Sequence, residues 1–530
     1  MAVAPLAEDM YEEQMYREAC PDYKQYSMYP HRPFSDGPLE LPYQRPHKYC
    51  RTFQSEAVEK VIRDMNEKIL DKDLARIFEN AFPNTLDTTV RWHVDGITPP
   101  VPGDGSQTSM HMFVDERWEG AQSFIVTGDI NAEWLRDSTN QLAQYQALTK
   151  KDKKLERLIL GAVNTQAEFV IENPYCNAFQ PPPPSGLPPT GDGENDNVHP
   201  GYEPSFVFEC KYEVDSLAAF LSLSNQFWSS SGSTQHLTAR WYRALDSVLR
   251  TIDSQTLSTF DGYGSYMRNE YTFQRKTDIG TETLSLGGVG NPLNNGTGLI
   301  RSAFRPSDDA TIFGFFIPGN AMMAVELTRT AKMLEGAGNM KAARELASRG
   351  EKLTKAVWDH GVINHPVYGK VFAYEIDGYG SQLLMDDANL PSLLSLPLLG
   401  FCKSDNEVYQ NTRKMILNRL GNPYFLQGYE FEGIGGPHIG LQNAWPMSLL
   451  VQTMTSDNDK EIGRLLEMVK NVSRLGLIHE SVHVNVPGGE QYSRSWFAWA
   501  NSVFAKTILD LAKRKPHLLF GQGAKAYTLE

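Results

Sequence analysis

The chain has 530 residues, of which 41% are hydrophobic and 22% charged, a composition typical of a folded globular protein and unlike that of disordered or collagen-like chains. Its 64 acidic and 50 basic residues give a net charge of −14, so neither nucleic acid nor an anionic membrane surface is expected as a partner. No stretch reaches the roughly 18 consecutive apolar residues of a membrane-spanning helix.

The N-terminal and cysteine-containing parts of the sequence bear on its compartment. The first twenty residues lack the basic flank and the apolar stretch of a signal peptide. Cys20 and Cys50 bracket a Pro- and Tyr-rich segment without periodicity. The two cysteines could form a disulfide or remain a pair of buried thiols, and the sequence does not decide between these alternatives. Sequons at Asn295 and Asn471 permit glycosylation in the secretory pathway. We expect a secreted or secretory-pathway protein, with the cytoplasm as the alternative.

Amphipathic helical patterns recur along nearly the whole chain and predict about twelve helices. These begin near residues 53, 131, 152, 212, 233, 309, 337, 387, 406, 439, 458 and 494. The Pro-rich stretch 180–200 predicts a surface loop, and residues 257–307 predict a short strand excursion or ordered loop. Because no interior segment resembles a flexible linker, we predict an N-terminal extension over residues 1–52 that packs on a single catalytic domain over residues 53–530.

Polar clusters stand at or just before every second predicted helix. They cover residues 134–138, 212–216, 304–309, 385–389, 436–438 and 479–496. Asp and Ser at helix starts are usually N-caps, which is a sufficient explanation for any one cluster. Six clusters in alternating phase predict instead an all-α toroid, with six inner and six outer helices and loop insertions. The clusters would then meet at one end of the inner ring and line a single pocket.

Such a pocket, rich in carboxylates and aromatic faces, suits a sugar. Hydrolysis of a glycosidic bond needs one protonated and one ionised carboxyl group. The adjacent Asp308 and Asp309 are candidates for the acid, since mutual repulsion would keep one protonated while Arg305 holds the other ionised. Glu480, in a short apolar context beside two histidines, is the candidate base toward water.

The segment His479-Glu480-Ser481-Val482-His483 also matches the H-E-x-x-H pattern of zinc peptidases. In those enzymes both histidines lie one turn apart on a continuous helix. Here residues 482–486 alternate like a strand and Pro487 follows, so a zinc peptidase is a distant alternative, and no metal or cofactor is expected. A toroid glycosidase with a different sugar preference and a carbohydrate-binding protein with an inert pocket are nearer alternatives.

The clusters together resemble glycoside hydrolase family 125. The resemblance rests on the motifs at residues 127–138, 211–216, 304–310, 384–389, 479–481 and 494–501, in order along nearly the whole chain. It implies an (α/α)6 barrel and a metal-independent, inverting exo-α-1,6-mannosidase that acts on mannose-containing oligosaccharides of mannan or N-glycans. It also implies that Asp308, in preference to Asp309, is the general acid and that Glu480 is the general base.

The resemblance further indicates that Trp134, Arg136 and Asp137 hold the terminal sugar. The other predicted substrate-binding residues come from the same polar clusters. They are Arg305, Asp309, Asp386, Asp387, Asn389, His438 and Arg494.

Overall fold

A computed structural model of the protein describes residues 20–97, 117–191 and 196–529. The first nineteen residues of the predicted N-terminal extension and residues 192–195 of the Pro-rich stretch therefore lie outside the described residues. Within the described residues the protein is helix-rich, with twelve helices of nine or more residues. They are α1 (Glu56–Lys68), α2 (Lys72–Ala81), α3 (Leu135–Ala143), α4 (Lys153–Glu172), α5 (Val214–Ser231), α6 (Ala239–Ser254), α7 (Ile317–Gly336), α8 (Met340–Gly361), α9 (Glu407–Ile416), α10 (Pro446–Met454), α11 (Asp459–Asn471) and α12 (Ala498–Arg514). None of the described helices is long and apolar enough to cross a membrane.

Short strands in seven small antiparallel sheets connect the helices, so the all-α prediction is incomplete. The strands are β1 (Val90–Ile97), β2 (Gly120–Ile125), β3 (Glu133–Trp134), β4 (Ala178–Phe179), β5 (Asn197–His199), β6 (Val207–Glu209), β7 (Thr272–Gln274), β8 (Phe315–Phe316), β9 (Val362–His365), β10 (Gly369–Phe372), β11 (Glu375–Ile376), β12 (Gln382–Leu383), β13 (Phe425–Gln427), β14 (Glu432–Ile434), β15 (Asn443–Ala444) and β16 (Val482–His483). The pairs are β1 with β2, β5 with β7, β9 with β10, β13 with β14 and β15 with β16, and the three-stranded sheets have the orders β3-β4-β6 and β12-β11-β8. Several of these strands run directly into a helix, as β3 runs into α3 and β8 into α7.

Alternate helices pack side by side in a row, in the order α7, α5, α3, α12 and α10. Other long helices pack on the outside of this row, with α8 on α7, α4 on α5, α2 on α12 and α11 on α10. Burial follows the same division, because α7 is buried on nearly all sides whereas α8 buries a single face. The predicted alternation of inner and outer helices is therefore present. Among the described residues, however, no sixth long helix closes the row into a ring.

The helix predicted to begin near residue 387 does not form. Residues 384–395 are irregular and lead only to the four-residue helix Leu396–Leu399. The Asp386 carboxylate accepts hydrogen bonds from the amides of Leu393 and Leu394, and the Asp387 carboxylate accepts one from the Asn389 amide. Side-chain bonds of this kind compete with helical ones, and Pro391 lacks the amide proton that a helix interior needs.

The N-caps divide between the two sets of helices. The seven long helices outside the inner row all begin with a Ser, Thr, Asp or Asn whose side chain accepts a first-turn amide: Ser55, Asp71, Asp152, Thr238, Asn339, Asn406 and Asn458. The five inner helices begin without a side-chain cap, at Trp134, Glu213, Phe316, Trp445 and Phe497. Ordinary capping thus explains the polar residues at the starts of the outer helices. The polar and aromatic side chains at the starts of the inner helices do not cap them and are available for other contacts.

Residues 20–52 lie against the helical body. The Cys20–Cys50 disulfide, which the sequence left open, is formed, and a second disulfide joins Cys176 to Cys210. Arg45 is buried and forms ion pairs with Asp87 and Glu59 of the helical body.

Candidate active site

A cavity of about 240 Å3 lies at the N-terminal ends of the inner helices. Three of the uncapped helix starts, Trp134, Trp445 and Phe497, line it. Asp308 reaches it from the turn before β8, and Glu480 from the loop before β16. The convergence follows from the uncapped starts, since side chains that do not fold back onto their own helix can point across the ends of the bundle.

A buried carboxyl pair forms one wall of the cavity. Asp308 adopts a left-handed backbone conformation, with φ of 65°, and 23% of its side chain is accessible, whereas the Glu213 side chain is fully buried behind it. The Asn177 amide donates to both carboxylates, at 3.3 Å to Glu213 and 3.1 Å to Asp308. Arg136 Nη1 donates to Glu213 at 2.6 Å, and its Nη2 lies 3.9 Å from Asp308.

The two members of this pair hold a proton unequally. Burial, together with the charge of Asp308, raises the pKa of Glu213 well above its usual range. Burial acts on Asp308 in the same direction, but the charges of Lys211 and Arg136 and the hydrogen bond with Glu213 outweigh it and lower the pKa of Asp308. The directions of the two pKa shifts therefore favour a proton on Glu213 rather than on Asp308.

Glu480 is held at both of its carboxylate oxygens. Ser493 Oγ donates to Oε2 at 2.6 Å and Arg494 Nε donates to Oε1 at 3.1 Å. Arg494 also forms an ion pair with Asp129. Because both oxygens are bonded, the orientation of the Glu480 carboxylate is set by residues 493 and 494.

Unpaired donors and aromatic faces complete the lining. The indole N–H groups of Trp134, Trp445 and Trp499 are buried and have no hydrogen-bond partner among the described residues, and the Thr127 hydroxyl is in the same state. The Arg136 guanidinium lies over the Trp499 ring, 5.3 Å from its centre. Buried donors without partners are costly in an apolar setting, and hydroxyl oxygens of a sugar would accept from them.

The H-E-x-x-H segment lies on a loop and on strand β16, so its two histidines do not share a helix. Burial lowers the pKa of His479 to about 4, and its Nδ1 lies 3.0 Å from the Arg494 carbonyl oxygen. His483 contacts Gln442 and Asn485 instead. Across the described ranges, no three His, Cys, Asp or Glu side chains are grouped as a metal site would require. The helical zinc-peptidase geometry is therefore not formed.

Comparison with known proteins identifies the family. The family model for the metal-independent α-mannosidases (GH125) matches residues 71–509. The chain belongs to glycoside hydrolase family 125. A family 125 α-mannosidase from Streptococcus pneumoniae, solved as a non-productive substrate complex with α-1,6-mannobiose, is 31% identical, with a TM-score of 0.74 over 87% of this chain and 99% of that chain. The meiotically up-regulated gene 157 protein of Schizosaccharomyces pombe (strain 972 / ATCC 24843) is 52% identical over 504 residues, which span 95% of this chain and 94% of the relative.

The cavity brings together most of the predicted site residues. Eight predicted residues line the cavity: Trp134, Arg136, Asp137, Asp308, Asn389, His438, Glu480 and Arg494. Burial, partly offset by Arg136, raises the pKa of Asp137 to about 7, so this carboxyl titrates in the physiological range. Four others are buried and do not line the cavity: Arg305, Asp309, Asp386 and Asp387. A direct contact between these four and a sugar stays a prediction.

The prediction that the Asp308 carboxyl is paired with that of Asp309 was wrong. Asp308 shares the donor Asn177 with Glu213, and Asp309 is buried and accepts from Ser307 at 3.1 Å. Arg305 does not bond either aspartate and instead donates to Glu375 at 2.6 Å. The left-handed turn at Asp308 separates the two neighbouring side chains, which is why adjacency in sequence did not give adjacency of the carboxyl groups.

Several lining residues of this glycoside hydrolase had not been predicted. Lys211 lies within the motif at residues 211–216, which did not indicate a role for it, and Trp445 precedes α10, whose predicted start was several residues too early. Glu209 and Arg275 come from β6 and the residue after β7 and form an ion pair of 2.9 Å at the cavity edge. This pair depends on a contact between residues far apart in sequence, so no local pattern indicates it.

Proposed function

We propose that this protein is an exo-acting glycoside hydrolase that removes non-reducing terminal α-1,6-linked mannose from mannan or N-glycan oligosaccharides with inversion. The observation that carries the proposal is the presence, in one cavity, of Asp308, backed by the buried Glu213 carboxyl, and of Glu480, whose carboxylate is oriented by Ser493 and Arg494. The α-1,6-mannobiose bound by the Streptococcus pneumoniae relative supports the linkage. The cavity volume, about 240 Å3, is below the range of roughly 300–1,000 Å3 typical of drug-sized ligands and favours a single terminal sugar.

Asp308 acts as the general acid in this proposal. It is the member of the carboxyl pair that reaches the cavity, and Glu213 behind it holds the proton. As the bond to the leaving sugar breaks, the Asp308 carboxyl delivers this shared proton to the glycosidic oxygen. Arg136 and Lys211 then stabilise the charge left on the pair.

Glu480 acts as the general base. Its carboxylate takes a proton from a water molecule, whose oxygen attacks the anomeric carbon on the face opposite the leaving oxygen. A single displacement of this kind gives β-mannose and a glycan shorter by one residue. The bonds from Ser493 and Arg494 keep the carboxylate oriented without reorganisation during the reaction.

The terminal mannose is held by donors and aromatic faces at the bottom of the site. The free indole N–H groups of Trp134, Trp445 and Trp499 bind its hydroxyl oxygens, and Arg136 and Asp137 bind further hydroxyls. We also propose that the inner row is an (α/α)6 barrel whose fourth inner position along the chain is the irregular segment 384–399, since the helix Leu396–Leu399 packs on α7.

A secretory-pathway location remains our proposal for the compartment. Two disulfides support it, because disulfides persist in oxidising compartments and are rare in the cytosol.

A linkage panel tests the proposed specificity. The purified protein is incubated separately with α-1,2-, α-1,3-, α-1,4- and α-1,6-mannobiose and with a linear α-1,6-mannotriose labelled at its reducing end. We expect mannose release from the α-1,6 substrates and labelled disaccharide as the first product from the trisaccharide. Faster cleavage of another linkage, or labelled mannose as the first product, would contradict the proposed exo-α-1,6 activity.

A further inference from the structure

We propose that Asp129 is a positioning residue for Glu480, acting through Arg494, and that the N-terminal segment 20–27 completes this support. The inference rests on the proposed function, because it takes Glu480 as the base. The N-terminal segment lies before residue 71, where the match to the family model begins. The support for the base would therefore extend beyond the part of the chain that the family model covers.

Arg494 is fixed at two of its edges by two carboxylates. Its Nε donates to Glu480 Oε1 at 3.1 Å, and its Nη1 pairs with Asp129. A guanidinium is planar and rigid, so a bond at one edge restricts the direction of the others. Asp129 does not line the cavity of the active site, so its effect on the reaction must pass through Arg494.

The residues after Arg494 contact the N-terminal segment. Ser495 Oγ lies 2.9 Å from Ser27 Oγ, and the Trp496 ring packs edge-on against Tyr23 with 4.7 Å between ring centres. Lys24 Nζ lies 3.9 Å from Asp129 Oδ2. Segment 493–496 therefore faces the base with its first two residues and the N-terminal segment with its last two.

Polar contacts rather than close packing hold Asp129 in place. A cavity of about 300 Å3 lies behind the active-site wall, and it is lined by Asp129, Trp496 and the Cys20–Cys50 disulfide. A side chain beside open space is restrained mainly by its own bonds, so Asp129 depends on its ion pairs, and the loss of its pair with Arg494 leaves that guanidinium held by Glu480 alone. The disulfide keeps the N-terminal segment against this wall.

The proposal is tested by steady-state kinetics of the full-length Asp129→Asn variant on two substrates, α-1,6-mannobiose and α-mannosyl fluoride. Fluoride leaves without protonation, so its hydrolysis needs the base but not the acid. A misplacement near 1 Å costs about 100-fold in rate, and we expect kcat to fall about 10- to 100-fold by the same factor on both substrates, with KM within about threefold of wild type.

Further variants separate positioning from folding. Asp253→Asn removes a comparable carboxylate, which is paired with Arg349 between the outer helices α6 and α8, and should leave both rates unchanged. Asp129→Glu keeps the charge and should restore part of kcat. Ser27→Ala and Lys24→Met act from the N-terminal segment and should each lower kcat by a smaller factor, also equal on both substrates, which keeps the proposal testable if Asp129→Asn does not fold.

The outcomes distinguish this inference from the function on which it rests. Wild-type kcat in Asp129→Asn, a loss confined to KM, or a loss on mannobiose alone would overturn the positioning role while leaving the mannosidase intact. Normal kcat in both Ser27→Ala and Lys24→Met would remove the N-terminal segment from the support. A wild-type protein inactive on both mannosides would instead defeat the proposed function.

Discussion

Replacing Asp308 with Asn removes the carboxyl proposed to protonate the glycosidic oxygen and keeps the size of the side chain. The Asn Oδ1 can still accept from Asn177, which lies 3.1 Å from Oδ1 of Asp308. The charge of Asp308 contributes to the raised pKa of Glu213, so we expect Glu213 to ionise beside Arg136 in its place. The net charge of the cluster is then retained, and the free energy of unfolding should change by less than about 1 kcal/mol.

The reaction should lose its general acid, which is worth about 10²- to 10⁴-fold in turnover or roughly 3–5 kcal/mol of barrier. We expect kcat on α-1,6-mannobiose to fall by that factor, and kcat on α-mannosyl fluoride to stay within about tenfold of wild type. Asp309→Asn is the matched control, because the neighbouring carboxyl is buried away from the cavity. Near-normal turnover of mannobiose by Asp308→Asn, or the same selective loss in Asp309→Asn instead, would refute the assignment.

Three further predictions concern other parts of the site. Glu480→Gln should lower kcat at least about 100-fold on both mannobiose and α-mannosyl fluoride, since each needs an activated water; a loss on mannobiose alone would count against Glu480 as the base. Trp445→Phe keeps an aromatic ring but removes the indole N–H, so KM for mannobiose should rise about 2- to 10-fold at nearly constant kcat. The control variant Trp358→Phe, at a residue that does not line the cavity, should change neither KM nor kcat. An unchanged KM in Trp445→Phe would argue against a hydrogen bond from its indole to the sugar. Burial raises the pKa of Glu133 from an ordinary value of 4.5 to about 8, so the folded state keeps a proton that the unfolded state has lost, and stability falls as pH rises toward 8. Denaturant unfolding should give a free energy of unfolding about 1 kcal/mol lower at pH 8 than at pH 7, and this difference should be smaller in Glu133→Gln. An equal pH dependence of the two proteins would show that Glu133 is already ionised in the folded state.

The alternation of helices could be predicted because two local signals agree along the chain. Outer helices carry both an amphipathic pattern and a capping residue, as at Asp152 before α4 and Asn458 before α11. Inner helices carry their polar residues at uncapped starts, as at Trp134 and Glu213. The cavity at the N-terminal ends of the inner helices lies where this alternation predicts a pocket.

The remaining features depend on contacts that no local pattern encodes. The bond between Glu213 and Asp308 joins residues nearly one hundred positions apart, so the sequence suggested the neighbouring Asp309 as the partner instead. The segment from Asp386 onward has apolar residues at helical spacing, yet side-chain bonds to the Leu393 and Leu394 amides override that pattern. The Cys176–Cys210 disulfide likewise depends on the pairing of β4 with β6, which the sequence does not indicate.

The stereochemistry of the released mannose tests the account most directly. Proton NMR of α-1,6-mannobiose incubated with chelator-treated protein reports the anomer of mannose as it first appears, before mutarotation mixes the two forms. We predict β-mannose, because an acid at Asp308 and a base at Glu480 act in a single displacement. First appearance of α-mannose would make one carboxylate a nucleophile and contradict the base role of Glu480, and no release from any α-linked mannobiose would contradict the proposed activity itself.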